Sequence, residues 1–220
     1  MKRIDIIGNY EINDFYVATN NLDKIYFSDS KKSKILLTDF DFKLIKDFGT
    51  KGSGIGELDT PYGLLYHNYN LYVCDSNNRR ITILDSNLKK SRVFCNLDFV
   101  PLQMKMLYFS ACIKEFGTDR MFFYNSYSQS IEYDHLQTGV SGPICEAKSK
   151  NSSRLYALLA KKVNNSVEIK FYNDYGELDE GLELTNPYFE EYGVDQVMNI
   201  ECFHQDLIIA LHESKRLLIV

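Results

Sequence analysis

Gly49-Thr-Lys-Gly-Ser-Gly-Ile-Gly-Glu-Leu-Asp-Thr-Pro61, read with the run from Tyr62 to Ile83 behind it, decides how this chain folds. A glycine-dense turn gives way to Pro61 and Gly63 and then to a strand-like run, Gly63-Leu-Leu-Tyr66. Polar residues from His67 to Asn70 make a turn, Leu71-Tyr-Val-Cys-Asp75 a second strand, Ser76 to Arg80 a polar hairpin, and Ile81-Thr-Ile-Leu-Asp85 a third strand. Short β-rich runs bounded by Gly, Pro, Asn and Asp predict an antiparallel meander.

The unit recurs. Ile25-Tyr-Phe-Ser-Asp-Ser-Lys-Lys-Ser-Lys-Ile35 aligns without a gap on Leu71 to Ile81, 46 residues later, and the same offset carries Asp39 onto Asp85 and Phe48 onto Phe94. Met121-Phe-Phe-Tyr-Asn125 reads as the second strand of a third copy, Leu155-Tyr-Ala-Leu-Leu159 of a fourth and Leu207-Ile-Ile-Ala-Leu211 of a fifth. Their spacing sits near the roughly 40–50-residue period of four-stranded blades. The four prolines, Pro61, Pro101, Pro143 and Pro187, recur at intervals of 40, 42 and 44, each ahead of a first strand, where a missing N–H costs the ladder nothing. Ser110 to Thr118 reads as an insertion with room for a short helical turn.

The order of residues resembles the NHL repeat, whose pattern is approximately G-x-G-x-G-E-F, P-x-G, I-Y-V-x-D, N-x-R-I and a late Asp. Gly52, Gly54, Gly56, Glu57, Leu58, Pro61, Gly63, Leu71, Tyr72, Val73, Asp75, Asn78, Arg80, Ile81 and Asp85 carry the match. The resemblance implies an all-β β-propeller of four-stranded antiparallel blades, with residues 1–220 forming a single domain. Arg3-Ile-Asp-Ile-Ile-Gly8 reads as an outermost strand with no partners before it, and Leu217-Leu-Ile-Val220 as a third strand with none after it. Their pairing would close five blades and leave no open edge. NHL propellers usually have six, so a six-bladed form missing one blade is the alternative.

Composition narrows the function classes. A net charge of −5 argues against a globally basic nucleic-acid or membrane binder, though not against a basic patch. No apolar run approaches the roughly 20 residues a membrane span needs, and Met1 to Gly8 lacks the apolar core of a signal peptide. Five cysteines (Cys74, Cys95, Cys112, Cys145 and Cys202) are widely spaced and include no C-x-x-C, so they read as buried free thiols in a reducing, cytoplasmic setting.

Catalytic and cofactor signatures are thin. Gly52-Ser-Gly-Ile-Gly56 lacks the helix that a dinucleotide fingerprint requires, since Pro61 and Gly63 follow, and it has no Gly-Lys-Ser/Thr. His67, His135, His204 and His212 show no metal-ligand spacing, so no metal or cofactor is expected. Asp29 and Asp75 read as hairpin residues that accept hydrogen bonds within the hairpin or pair with Lys34 and Arg80 across it. Related propellers include amidating lyases and lactonases, which makes an enzyme with a channel-mouth site the third reading.

Charge placement is the functional signal. If the strands of each blade are lettered A to D, the B–C and D–A turns share one face of the disc and the A–B and C–D turns the other. The expected B–C turns carry Lys31, Lys32, Lys34, Arg79, Arg80, Lys161, Lys162, Lys215 and Arg216, nine of the 25 basic residues, and the third copy offers Tyr127. Asp23, Asp39, Asp41, Asp85, Asp119, Asp134, Asp174 and Asp206 fall to the opposite face. NHL propellers include protein scaffolds and RNA binders. The first expectation is therefore a non-catalytic binding module whose basic rim meets a protein partner, with RNA as the alternative partner.

Overall fold

The structure, a computed structural model, describes residues 2–3, 6–7, 10–12, 15–20, 22–107, 110–118, 120–125, 130–133, 144–148, 155–163, 166–172, 178–184, 197–203, 206–211 and 216–219. Side chains are described within 10–12, 15–20, 22–106, 111–118 and 120–124.

Strands run through the described residues from end to end. β1 (Lys2–Arg3), β2 (Ile6–Ile7) and β3 (Tyr10–Glu11) open the chain. The first four-stranded sheet is β4 (Phe15–Thr19), β5 (Ile25–Asp29), β6 (Lys34–Thr38) and β7 (Leu44–Phe48). After the short parallel pair β8 (Thr50–Lys51) and β9 (Glu57–Leu58) comes the second sheet: β10 (Pro61–His67), β11 (Asn70–Asp75), β12 (Arg80–Asp85) and β13 (Ser91–Asn96). The third is β14 (Pro101–Leu107), β15 (Ser110–Glu115), β16 (Met121–Asn125) and β17 (Ser130–Tyr133). The fourth is β18 (Ile144–Lys148), β19 (Leu155–Val163), β20 (Ser166–Tyr172) and β21 (Leu178–Leu184). The last joins β22 (Val197–Phe203), β23 (Asp206–Leu211) and β24 (Arg216–Ile219) to β1.

Each sheet is an antiparallel meander, and the first strands touch in a circuit: β4 meets β10, β10 meets β14, β14 meets β18, β18 meets β22, and β22 meets β4 again. That is a β-propeller. The opening and closing segments do pair, through Lys2 opposite Leu217 and Arg3 opposite Arg216. The expected strand was longer. Ile6 and Ile7 instead pair with Glu11 and Tyr10.

Packing follows the period-two alternation of strands. In β5, Ile25 and Phe27 join Phe15, Val17 and Leu36 in one buried layer. Tyr26, on the other side, joins Ile35, Leu37, Leu64, Leu71, Val73 and Leu84 between the first two sheets. Leu65, Cys74 and Ile81 meet Met104, Ile113 and Phe122 between the second and third. With both faces covered, these strands read as continuous apolar runs, and each large side chain contributes about 1.5–3 kcal/mol. Hydrogen bonds stitch the layers: the Ser28 hydroxyl donates to Tyr62 O (2.7 Å) and the Tyr26 hydroxyl to Ser86 O (2.9 Å).

The 46-residue offset extends to backbone geometry. Positive φ recurs at Ser33 and Arg79, closing the B–C turns, and at Phe42 and Leu88 in the C–D turns. Asp39 explains the second pair. Its Oδ1 accepts from the N–H groups of Asp41 and Lys43, as that of Asp85 does from Asn87 and Lys89.

The third copy corrects the expected alignment. Met121–Asn125 is the third strand of its sheet, and Ser110–Glu115, read as an insertion with a helical turn, is the second. Pro101 pairs with Glu115 as Pro61 pairs with Asp75, and Tyr124 with Ala111 as Leu84 pairs with Leu71. The true interval is therefore 40, that between the prolines. Strands of one blade share the same apolar-aromatic pattern, so a single strand does not reveal its place in the blade.

Candidate binding face

The glycine-rich stretch folds back on itself between β7 and β10. Gly52 N donates to Leu58 O (3.0 Å), Glu57 N to Gly54 O (3.2 Å), and Gly54 N to the Glu57 carboxylate (2.8 Å). Its carbonyls point at the adjacent B–C turn. Arg80 Nε donates to Asp75 Oδ2 (2.7 Å), while the guanidinium also reaches Ser53 O (2.7 Å), Gly54 O (3.1 Å) and Glu57 O (3.0 Å). Asp75 accepts further bonds from Asp59 N (2.7 Å) and Asn78 Nδ2 (3.0 Å). The repeat's Asp, Asn, Arg and glycines thus form one network that fixes a D–A loop to a B–C turn.

This network removes Arg80 from the expected basic rim: it is buried, with only 8% exposed, and four of its five N–H donors are used inside the fold. Lys34 pairs with Asp47 (2.6 Å), across β6 and β7, rather than with Asp29. Asp29 Oδ1 accepts from Lys32 N (2.9 Å). Lys32 Nζ donates to Glu11 O and lies 4.4 Å from the centroid of the Tyr10 ring. Lys31 and Arg79 are exposed on their turns.

Two further corrections concern the rim. Lys161 and Lys162 are in β19, opposite Glu168 and Val167, not in a turn. The β-branched Val163 and Val167 favour a ladder that runs past them. Arg216 opens β24, opposite Leu211. Tyr127, Lys215, His135, His204 and His212 lie outside the described residues.

The sequence reading missed four side chains on this face. Glu115 and Arg120, 40 residues beyond Asp75 and Arg80, repeat the acid–base pair with Nε to Oε2 at 2.7 Å, so Arg120 belongs to the B–C turn of the third sheet. No glycine loop precedes this copy, only the connection from Leu97 to Val100, and the Arg120 side chain stays 56% exposed. Ile55, at the tip of the glycine loop, is 82% exposed. Phe116 is 51% exposed and stacks on Tyr62 at 5.6 Å and 8°, while Tyr62 packs on buried Tyr16 at 5.7 Å. The proline interval could have revealed Glu115 and Arg120. Nothing local distinguishes Phe116 from a core aromatic.

On the opposite face, partial burial pushes the Asp85 carboxyl up. The backbone N–H groups of Lys89, Asn87 and Lys90 and the Lys46 charge outweigh that and hold it below the ordinary carboxylate value. Burial pushes the Cys95 thiol up to about 11 and that of Cys112 to about 12. Among the described residues, no group of three His, Cys, Asp or Glu is placed to hold a metal ion.

No family model matches the chain, and no curated protein matches it. Solved structures do. Virginiamycin B lyase from Staphylococcus aureus is similar at 16% identity and a TM-score of 0.51, over 88% of this chain and 61% of that one. A chain of the nidogen/laminin complex is similar at 14% identity and a TM-score of 0.55, over 89% of this chain and 71% of that one. A putative exported protein from Bacteroides fragilis is similar at 15% identity and a TM-score of 0.52, over 100% of this chain and 70% of that one. The chain therefore spans about three fifths of the lyase's length and about seven tenths of the other two. At these identities the likeness is one of fold, the β-propeller.

Proposed function

We propose that this chain is an NHL-type propeller domain acting as a non-catalytic binding module, with a protein partner on the face made by its B–C and D–A turns. The observation that carries the reading is that the turns of this one face carry exposed Ile55 and Phe116 as well as exposed Arg79 and Lys31. Exposed apolar groups among cations suit a protein surface. Three acids of the face have structural uses: Asp75 holds Arg80, Glu57 holds Gly54 N, and Glu115 holds Arg120. That use favours scaffold over enzyme. The NHL assignment rests on the Asp75–Asn78–Arg80 network with the glycine loop, and the cytoplasmic one on free Cys74, Cys95 and Cys112.

The RNA reading draws on Lys31 and Arg79 but has less support, because Lys34 and Arg80 neutralise acids of the chain itself and phosphate contacts need several cations together. The test is quantitative co-purification from the native cell. Lys31→Glu/Arg79→Glu should lose a defined set of proteins that Tyr69→Ser, on the opposite face, retains. Equal recovery by both variants, or a salt-sensitive RNA in place of proteins, sinks the reading.

A further inference from the structure

Three rings step outward across the proposed binding face. Tyr16 is buried at the start of β4, Tyr62 is half-buried at the equivalent position of β10, and Phe116 stands half-exposed on the turn after β15. Phe116 lies nearly parallel to Tyr62, so one side of its ring is covered and half of its surface remains in water. It is also held in place, because its N–H donates to Val100 O (2.8 Å). A fixed, half-exposed ring backed by two others is a stacking platform.

The same short connection carries a charge. Arg79 O accepts from Leu97 N (2.8 Å), so the Arg79 and Phe116 turns are bound to opposite ends of the segment from Leu97 to Val100. Three residues separate those ends along a connection that bends at Asp98 and Phe99, so they lie at most about 10 Å apart. Arg79 is exposed, as is Asp98 between the two anchors. An evenly charged polyphosphate laid along this line would meet Asp98. An extended peptide can place its one carboxylate at the Arg79 end and its ring at the Phe116 end.

We propose that Phe116 and Arg79 form a two-point site for an extended acidic peptide, an aromatic side chain stacking on Phe116 and a carboxylate two or three residues away meeting Arg79. This rests on the protein-binding reading of the face and names the chemistry of the partner. Spacing follows from the roughly 3.3 Å rise of an extended chain. Planar stacking selects the ring, and charge selects the flank.

Fluorescein-labelled Gly/Ser decapeptides carrying one Tyr and one Asp three residues apart provide the probe, read by fluorescence anisotropy. Controls replace the Tyr by Ala or the Asp by Lys, and labelled octauridylate tests the nucleic-acid case. The wild-type chain should prefer the Tyr/Asp peptide. Phe116→Ala should weaken it about tenfold, the scale of one hot-spot side chain. Phe116→Tyr should keep it, Arg79→Glu should abolish the preference for Asp over Lys, and Tyr69→Ser should change nothing. Circular dichroism melts confirm that each variant folds.

If Phe116→Ala binds like wild type while Lys31→Glu/Arg79→Glu still weakens binding, the platform is wrong and the face reading stands. If neither variant matters, both fall. Octauridylate binding that exceeds peptide binding and is lost in Phe116→Ala replaces the peptide by a nucleobase. Failure of every probe to bind the wild-type chain overturns the proposal.

Discussion

Arg80 and Asp75 form an ion pair sealed from water, Nε to Oδ2 at 2.7 Å, with side-chain exposures of 9% and 0%. Forty residues on, Arg120 and Glu115 make the same connection with the arginine 56% exposed. The contrast separates a motif that organises the fold from its surface echo. Only the first arginine has a glycine loop whose carbonyls take three more of its donors.

Removing Arg80 should therefore be more costly than removing Arg120. Arg80→Ala leaves Asp75 charged and buried, a loss of about 3–5 kcal/mol. Arg120→Ala should cost less, about 1–3 kcal/mol, since the arginine is exposed and the largely buried Glu115 keeps the Thr118 hydroxyl as a donor. Arg80→Lys should not rescue, since an ammonium lacks the forked donors. Urea denaturation of the three variants decides it, and equal losses would remove the distinction.

Gly63 marks a close approach of the second and third sheets. A Cβ there would lie 2.5 Å from Gln103 Cα and 2.7 Å from Leu102 O, backbone atoms with little room to shift. Gly63→Ala should destabilise by about 1–3 kcal/mol, the usual cost of overpacking. Gly117→Ala meets nothing within 4 Å but must adopt φ near +76°, and should cost about 1 kcal/mol or somewhat more. Thermal melts should rank the two in that order.

Asp85 makes part of the stability depend on pH. Its carboxyl is held below the ordinary value, so the folded state favours the ionised form. The contribution is present above the unfolded-state carboxylate value, roughly pH 4, and is lost as pH falls through the folded-state value. Asp85→Asn keeps an acceptor for Asn87 N and Lys89 N and removes only the charge. The stability gap between wild type and Asp85→Asn should shrink from pH 7 to pH 3, and a constant gap would contradict this.

Thiol reactivity reports the packing between sheets. Burial raises the thiols of Cys74, Cys95 and Cys112. At pH 7 each should then react with a maleimide far more slowly in the native chain than in urea. Cys74 and Cys112 are fully buried and Cys95 only partly, so Cys95 should label first. Single-cysteine variants measure the order.

The sequence was most informative where a residue's role is local. Asp39 and Asp85 each fold a turn onto their own carboxylate, so their 46-residue recurrence was visible in the chain. Pro61 and Pro101 open equivalent strands for a reason internal to each, the absent N–H. The third copy was misread because Met121-Phe-Phe-Tyr-Asn125 has the pattern of any inner strand, and strand order within a sheet is set by pairing with neighbours.

Composition and spacing by themselves pointed to a repeated meander of short strands and to the turn residues that punctuate it, and the resemblance to the NHL repeat implied the propeller. Tertiary contacts alone decided which side chains the candidate face exposes. They sank Arg80 into a loop contributed from 23 or more residues away, tied Lys34 to Asp47, and brought Phe116 against Tyr62 of the preceding sheet. The physical reason is range. Turn chemistry and alternation act between close neighbours in the chain, whereas burial and charge pairing depend on which distant segment closes over a side chain.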